Sequence, residues 1–461
     1  MTETAFVRSA MLPPNAPPVT ERGAVKWMRE NLFSSTFNIV LTLLGVLIAF
    51  LIIKAALPWL LNSVWNASSL KECREIVWAA AGPEASGACW AMVRERWHQF
   101  LFGFYPLDQF WRPALALGLL LISLAPVLYS GLRRPSVIMV GTFSLLTFVA
   151  LALLDHDAGH LVLFAAIFAA LTAVAWFAPK KLIYLTLLFP LLGFFLLWGG
   201  SIWGPVGVAM GFAVLAIAYR LIKPVLGVVM ATGIGIVAAA VWWLWLQNGV
   251  TTELHALMPA GLRSVNSDVF GGFLLAFVIG VTAIGGSLPF GILLALGRQS
   301  DMFLINKLSV GFIEFVRGVP LITVLFVATL LLGYFLPPQS NFDLILRVVI
   351  LVTFFSAAYL AEVIRGGLAA LPKGQYEAAD ALGLDYWQAQ QLIIMPQALK
   401  ISIPGIVSTF IGLFKDTTLV ALVGLADPLV GIAKIVRADI NWKGIYWEPF
   451  IFVGVVFFLV C

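Results

Sequence analysis

Three groups of residues in this chain have the types and spacing to do chemistry. Lys415, Asp416, Thr417 and Thr418 are consecutive and fall inside an apolar run. A charge there costs about 3 kcal/mol on insertion scales and normally faces a cavity or a partner. The four could line a polar path with one group of each sign, or form a local ion pair that fixes helix packing; the residues alone leave both open. Cys73 and Cys89, with fifteen residues between them, could close a loop and stabilise it by roughly 3 kcal/mol in an oxidising compartment, or stay as two free thiols. Asp155, His156, Asp157 and His160 carry metal-binding donors, but their place between two apolar runs reads as a short solvated hairpin, and no metal is assigned.

Other chemistries lack their residues. A phosphate-cradling loop needs Gly-Lys followed by Ser or Thr, since the Lys reaches the phosphates and the hydroxyl holds magnesium. No Lys in this sequence is followed by either. His-Glu-x-x-His and Gly-x-Ser-x-Gly are also missing, and the four His are scattered. Asp416 is the one acidic residue placed well inside an apolar run, which argues against a proton relay of several buried carboxylates. No catalytic residue and no cofactor is therefore assigned to the chain.

The elements that must position these groups follow from composition. The 461 residues are 61% hydrophobic and 11% charged, against roughly a quarter charged in soluble domains. That excludes a soluble, disordered or disulfide-scaffold protein. The net charge of +5 shows no basic face for a nucleic acid and fits a record of membrane orientation. A bilayer-spanning helix takes about 20 apolar residues. Runs of that order lie at 38–61, 113–131, 136–154, 161–178, 182–200, 204–219, 225–247, 271–297, 310–336, 344–364, 399–426 and 446–461. The expected fold is an all-α polytopic membrane protein of about 12 spans. The first run is too long, and too far from the start, for a cleaved signal peptide.

Segments 1–37, 38–247 and 271–461 read as an N-terminal cytoplasmic tail, a membrane-spanning extension with an outer loop at 62–112, and a second membrane region. With the N-terminus inside, the inner segments hold 16 basic and 9 acidic residues and the outer ones 10 and 13. The pairs Arg133-Arg134 and Lys180-Lys181 sit in short inner loops, where they anchor orientation.

The stretch from Leu371 to Pro404 is long for an inter-span loop and is helical in pattern. Pro372 and Gly374 punctuate the exit from the preceding span. Gln375 to Leu382 reads as a short helix with Glu377 in the first turn, where the helix dipole favours a carboxylate. Gly383 fits the left-handed position that follows, and Asp385 can cap a second helix through Tyr386, Trp387 and Gln388. Ala378 and Ala379 keep one face slim enough for a groove. The residues by themselves define either a rigid docking knuckle or an ordinary surface hairpin.

Glu377-Ala378-Ala379, then Gly383, Ile393 and Met395-Pro396, is similar to the EAA motif of ABC importer membrane subunits, departing from it in having Met395 where Leu is usual. Glu314-Phe315-Val316-Arg317-Gly318-Val319-Pro320, Ala361-Glu362-Val363-Ile364-Arg365-Gly366-Gly367 and Lys415-Asp416-Thr417-Thr418-Leu419 resemble the polar amino-acid branch. The resemblance runs from about Gly271 to the end. The extra N-terminal spans and paired loop cysteines resemble the M-type subunit of general L-amino-acid permeases or the related glutamate/glutamine/aspartate/asparagine systems.

That resemblance implies a five-helix type I permease core at 271–461, with 371–396 as its cytoplasmic coupling segment. Glu377, Ala378, Ala379, Gly383, Ile393 and Pro396 would engage two copies of a partner ATPase, which would carry the ATP and magnesium. Lys415, Asp416, Thr417 and Thr418 would line the path of an amino-acid zwitterion, shared with a second permease subunit and supplied by a periplasmic amino-acid-binding protein. The location implied is a bacterial inner membrane, with no nucleic-acid partner. Relatives usually continue past the last span, so the chain is expected to be truncated at Cys461. A self-sufficient secondary carrier and a non-transporting membrane scaffold are the rival classes.

Overall fold

A computed structural model describes residues 23–129, 132–154, 157–331 and 343–461. Asp155, His156 and most of the N-terminal tail lie outside the described residues. The chain divides into two units, Met1–Glu95 with Asn441–Glu448, and Arg96–Ile440 with Pro449–Cys461.

The first unit begins with helices α1 (Gly23–Asn31), α2 (Thr36–Leu61) and α3 (Leu70–Ala81). Ser35 caps α2 by accepting the Asn38 N–H at 3.2 Å. No residue of α2 is buried within the chain although the helix is apolar apart from Lys54 and a few polar residues near its start, as suits a helix whose solvent is lipid. Ser69 caps α3, and the Glu72 carboxylate accepts the N–H and hydroxyl of Ser68 at 2.7 and 2.6 Å. Those bonds hold the Glu72 carboxyl below its usual range. The structure joins Cys73 to Cys89, with Cα atoms 5.9 Å apart. The Cys89 N–H donates to Glu448 at 2.9 Å and the Leu70 N–H to the Asn441 carbonyl at 2.8 Å. Residues 441–448 are thus knit into this loop despite their distance in sequence.

Helices continue as α4 (Ala91–Phe102), α5 (Trp111–Ser123), α6 (Ala125–Tyr129), α7 (Arg133–Leu154), α8 (Ala158–Phe177), α9 (Ile183–Trp198), α10 (Trp203–Val241) and α11 (Gln247–Leu257). Two-residue strands β1 (Gly200–Ser201) and β2 (Gly261–Leu262) pair antiparallel across the α10–α11 excursion. The remaining helices are α12 (Gly272–Gln299), α13 (Phe303–Gly318), α14 (Leu321–Phe326), α15 (Leu344–Ala369), α16 (Gly374–Ala381), α17 (Tyr386–Ala389), α18 (Met395–Asp416), α19 (Ala433–Ala438) and α20 (Trp447–Val460).

Among the described residues, nine helical stretches are long and apolar enough to cross a membrane. One of them, Trp203–Leu257, has 55 residues and breaks at Gly227, whose φ of +76° is costly for any residue with a Cβ. It holds the two runs read from sequence at 204–219 and 225–247. The run read at 310–336, of which 332–336 lie outside the described residues, is not one continuous helix. α13 ends at Gly318 and the helix restarts at Leu321. Pro320 has no N–H to donate and forces the residue before it out of helical geometry; Val319 is extended, at φ −106° and ψ 131°.

In the larger unit α12, α15 and α18 pack through small residues, the means by which helices approach closely where lipid offers no hydrophobic drive. A Cβ at Gly367 would stand 2.5 Å from the Ala398 carbonyl oxygen, so the α15–α18 crossing requires glycine there. One apolar cluster includes Ile279, Val348 and Leu413; a second includes Ile313, Leu360, Ile364, Leu371 and Ala398. The chain returns to the Gly271 end of α12 through the bridges Gly103↔Phe270 and Gly271↔Ala426. At about 1.5 Å per residue, the Arg298 end of this helix lies roughly 40 Å away.

Candidate functional site

Residues 371–396 form the knuckle that the sequence predicts. Glu377 lies in the first turn of α16, and Gly383 follows that helix at φ +69°, a left-handed geometry open to glycine at little cost. Asp385 then starts α17 with a full capping box. Its carboxylate accepts the Gln388 N–H at 2.9 Å, and the Gln388 side chain accepts the Asp385 N–H at 3.1 Å. Each bond satisfies a donor that a helix start leaves without an intrahelical partner.

The motif divides between two faces. Glu377, Ala378, Gly383 and Pro396 are exposed, while Ala379 is buried and Ile393 half-buried. Ile393 and Tyr376 pack on the Ile313–Leu371–Ala398 cluster. Ala379 therefore belongs to the chain's own interior, and only Ala378 of the alanine pair lies outward, a correction to the slim face of two alanines expected from sequence. Gln397 donates to Gln375 at 2.9 Å and to the Ile393 carbonyl at 3.0 Å. The knuckle is thereby braced to the first turn of α18. Leu382, Tyr386, Trp387 and Leu392 are exposed around it.

Beside the knuckle, five charged groups converge. Glu362 on α15 meets Arg298 of α12 at 2.7 Å, Arg365 at 3.0 Å and Arg317 of α13 at 3.9 Å; Arg298 also reaches Glu314 at 2.8 Å. Sequence spacing reveals the Glu362–Arg365 pair, one helical turn apart. It does not reveal Arg298 or Arg317, which arrive only when α12, α13 and α15 pack.

One helical turn from Glu362, Tyr359 lines a cavity of about 340 Å³, with Ser356, Thr409 and Asp416 as its polar walls. Arg317 sits over the Tyr359 ring at 5.6 Å. Of the four consecutive candidates, only Asp416 opens into this cavity. Lys415 is exposed without being part of its wall. Thr417 is buried, donating to the Phe414 carbonyl at 2.7 Å, and Thr418 donates to the Lys415 carbonyl at 2.9 Å. Such back-bonds satisfy a hydroxyl inside a helix. The described residues contain no Lys415–Asp416 ion pair. Asp157 of the Asp/His group caps α8, accepting the Gly159 and His160 N–H groups at 2.7 and 3.2 Å, which lowers its carboxyl below the usual range.

A bundle of apolar helices of spanning length with a capped knuckle braced against it defines a transport permease of the type I ABC fold. The chain belongs to the family described as "Binding-protein-dependent transport system inner membrane component", whose match covers residues 287–461, and within it to the amino-acid ABC transporter permeases, multi-pass proteins of the inner membrane. It is 59% identical to the "Glutamate/glutamine/aspartate/asparagine transport system permease protein BztC" of Rhodobacter capsulatus over 100% of this chain and 95% of that one. It is 34% identical to the "Inner membrane amino-acid ABC transporter permease protein YhdY" of Escherichia coli, over 97% and 92%. A solved structure titled "Crystal structure of an amino acid ABC transporter with histidines" is 29% identical over 41% of this chain and 84% of that chain, at a TM-score of 0.36.

Proposed function

We propose that this chain is the permease subunit of an ATP-driven, binding-protein-dependent importer of polar L-amino acids. It forms the path with a second permease subunit and couples to two ATPase subunits. The relative named for glutamate, glutamine, aspartate and asparagine transport supports the substrate class. The observation that carries the coupling role is the knuckle's division of labour. Glu377, Ala378 and Pro396 face outward, while Ala379, Ile393 and the Gln375–Gln397 bond tie the same segment to α18.

In this reading the N-terminus and the knuckle are cytoplasmic and the disulfide loop is periplasmic. Nucleotide-driven closure of the ATPases displaces the docked knuckle. The displacement passes through α18 to Asp416, 20 residues beyond Pro396, or roughly 30 Å along a helix. Asp416, with the hydroxyls of Ser356, Tyr359 and Thr409, binds the ammonium and other polar groups of the solute in the cavity. Lys415, Thr417 and Thr418 support that stretch of helix.

The test is ATP-dependent uptake of labelled glutamate and glutamine into proteoliposomes holding the assembled complex. Glu377→Lys should abolish coupling while binding-protein docking persists, and Asp416→Asn should lower uptake while leaving ATPase assembly intact. Undiminished transport in the Glu377 variant would overturn the coupling role. Uptake by this chain alone under an ion gradient would favour a self-sufficient carrier.

A further inference from the structure

A second cavity lies apart from the one at Asp416 and shares no lining residue with it. It is a half-open crevice of about 1790 Å³ within the larger unit, walled by α5, α7, α9, α12 and α15 and by the Trp97–Phe102 end of α4. Small-molecule pockets run to roughly 300–1,000 Å³, so this space exceeds the needs of an amino acid. Each wall helix contributes one apolar stripe at helical spacing; on α12 it is Phe273, Phe277 and Val281. The lining on α12 extends from Phe273 to Thr282, a depth of about 15 Å. That is half of the roughly 30 Å hydrocarbon core, one leaflet.

The charged and amide side chains are concentrated at one end. Asn266, Ser267, Asp268 and Asp343 line the mouth beside Trp198, at the Gly271 end of α12. No Lys or Arg belongs to the lining among the described residues. One Asp343 oxygen accepts the Leu346 N–H at 3.0 Å as a helix cap. Asp268 is exposed in the short turn Ser267–Val269.

From this geometry we infer a structural lipid site: a phospholipid with an ammonium-bearing headgroup seated between the N-terminal helices and the permease core. Its chains fill the apolar stripes to the depth of one leaflet, and its ammonium lies at the carboxylates of Asp268 and Asp343. The two carboxylates are the charged side chains of the lining, while Arg112 beside Gly199 donates to the Arg263 carbonyl and Arg263 pairs with Asp108, so the mouth disfavours an anionic headgroup. A dry void of this size inside a bilayer would forfeit packing contacts along all six helices. The lipid supplies those contacts and joins α5, α7 and α9 to α12 and α15.

The experiment is native mass spectrometry of the full chain with its co-purifying subunits, delipidated and then titrated with phosphatidylethanolamine or phosphatidylglycerol. Retained phosphatidylethanolamine adducts are expected, with few from phosphatidylglycerol. Ala150→Trp, which fills the crevice, should remove the adduct. Leu163→Trp, on α8 and outside the lining, should not. Asp268→Asn should lower the phosphatidylethanolamine preference about fivefold, the worth of one exposed ion pair. A photo-crosslinking benzoylphenylalanine at Leu117 gives a readout independent of the Ala150 variant's folding: it should capture lipid. Capture of a protein helix there, no retained lipid, or adducts indifferent to Ala150→Trp would overturn the site.

Discussion

The Arg298 guanidinium stands 2.7 Å from Oε1 of Glu362, joining α12 to α15 at the end of the core nearest the knuckle. Glu362 shares its two oxygens among three arginines, and its side chain is only 17% exposed. Removing one member of such a cluster leaves partly desolvated charge without its counterpart, which costs more than the cluster is worth relative to an apolar substitute.

Glu362→Gln is expected to destabilise the permease by less than the roughly 3 kcal/mol of a fully buried pair, because its arginine partners are 25 to 42% exposed to solvent. Arg298→Met and Glu362→Met together should cost less than the sum of the two single changes. Thermal unfolding of the purified complex, analysed as a double-mutant cycle, measures the coupling. Independent, additive losses would show that the pair contributes nothing.

Gly383→Val places a β-branched residue at φ +69°, a geometry that costs L-residues roughly 1–2 kcal/mol. α16 and α17 should separate or reorient. Co-purification of the ATPase should fall while the membrane-embedded part still melts near the wild-type temperature. A variant that retains its ATPase and couples normally would show that the turn is not needed.

Gly367→Leu is expected to be among the most damaging substitutions in the core. The added atoms have no room beside the Ala398 carbonyl and the Ser402 hydroxyl, and overpacking costs typically 1–3 kcal/mol, occasionally more. Gly366→Leu, one residue away where a Cβ meets nothing within 4 Å, serves as its control. The two should differ clearly in expression and melting temperature.

Cys73→Ser is expected to loosen the loop around residues 62–95. A bridge of this size contributes about 3 kcal/mol in the chain-entropy account. The measurement is limited proteolysis of right-side-out membrane preparations, with cleavage between Ala81 and Cys89 faster in the variant. Equal cleavage rates would show that the Cys89–Glu448 and Leu70–Asn441 hydrogen bonds hold the loop unaided.

Pattern alone was enough for the helices and the knuckle, because both rest on local rules. Spans such as Thr36–Leu61 are continuous apolar runs of bilayer length. Gly383 and Asp385 act on the few residues beside them, so φ +69° and the capping box follow from residue type and spacing. The apolar run across Pro320 reads as one span by hydropathy, which does not register a missing N–H.

Tertiary structure alone decided which side chains meet. Arg298, Arg317 and Glu362 lie far apart in the chain, and no helical period connects them. Lys415 and Asp416 are neighbours in sequence but about 100° apart around a helix, so only the packing of α15 against α18 selects Asp416 for the cavity. The chain's own order encoded helix, turn and membrane depth, which are properties of short segments. The polar cluster, the cavity and the lipid-sized crevice depend on helix crossings set by small residues such as Gly367, and a crossing exists only between segments that have already folded.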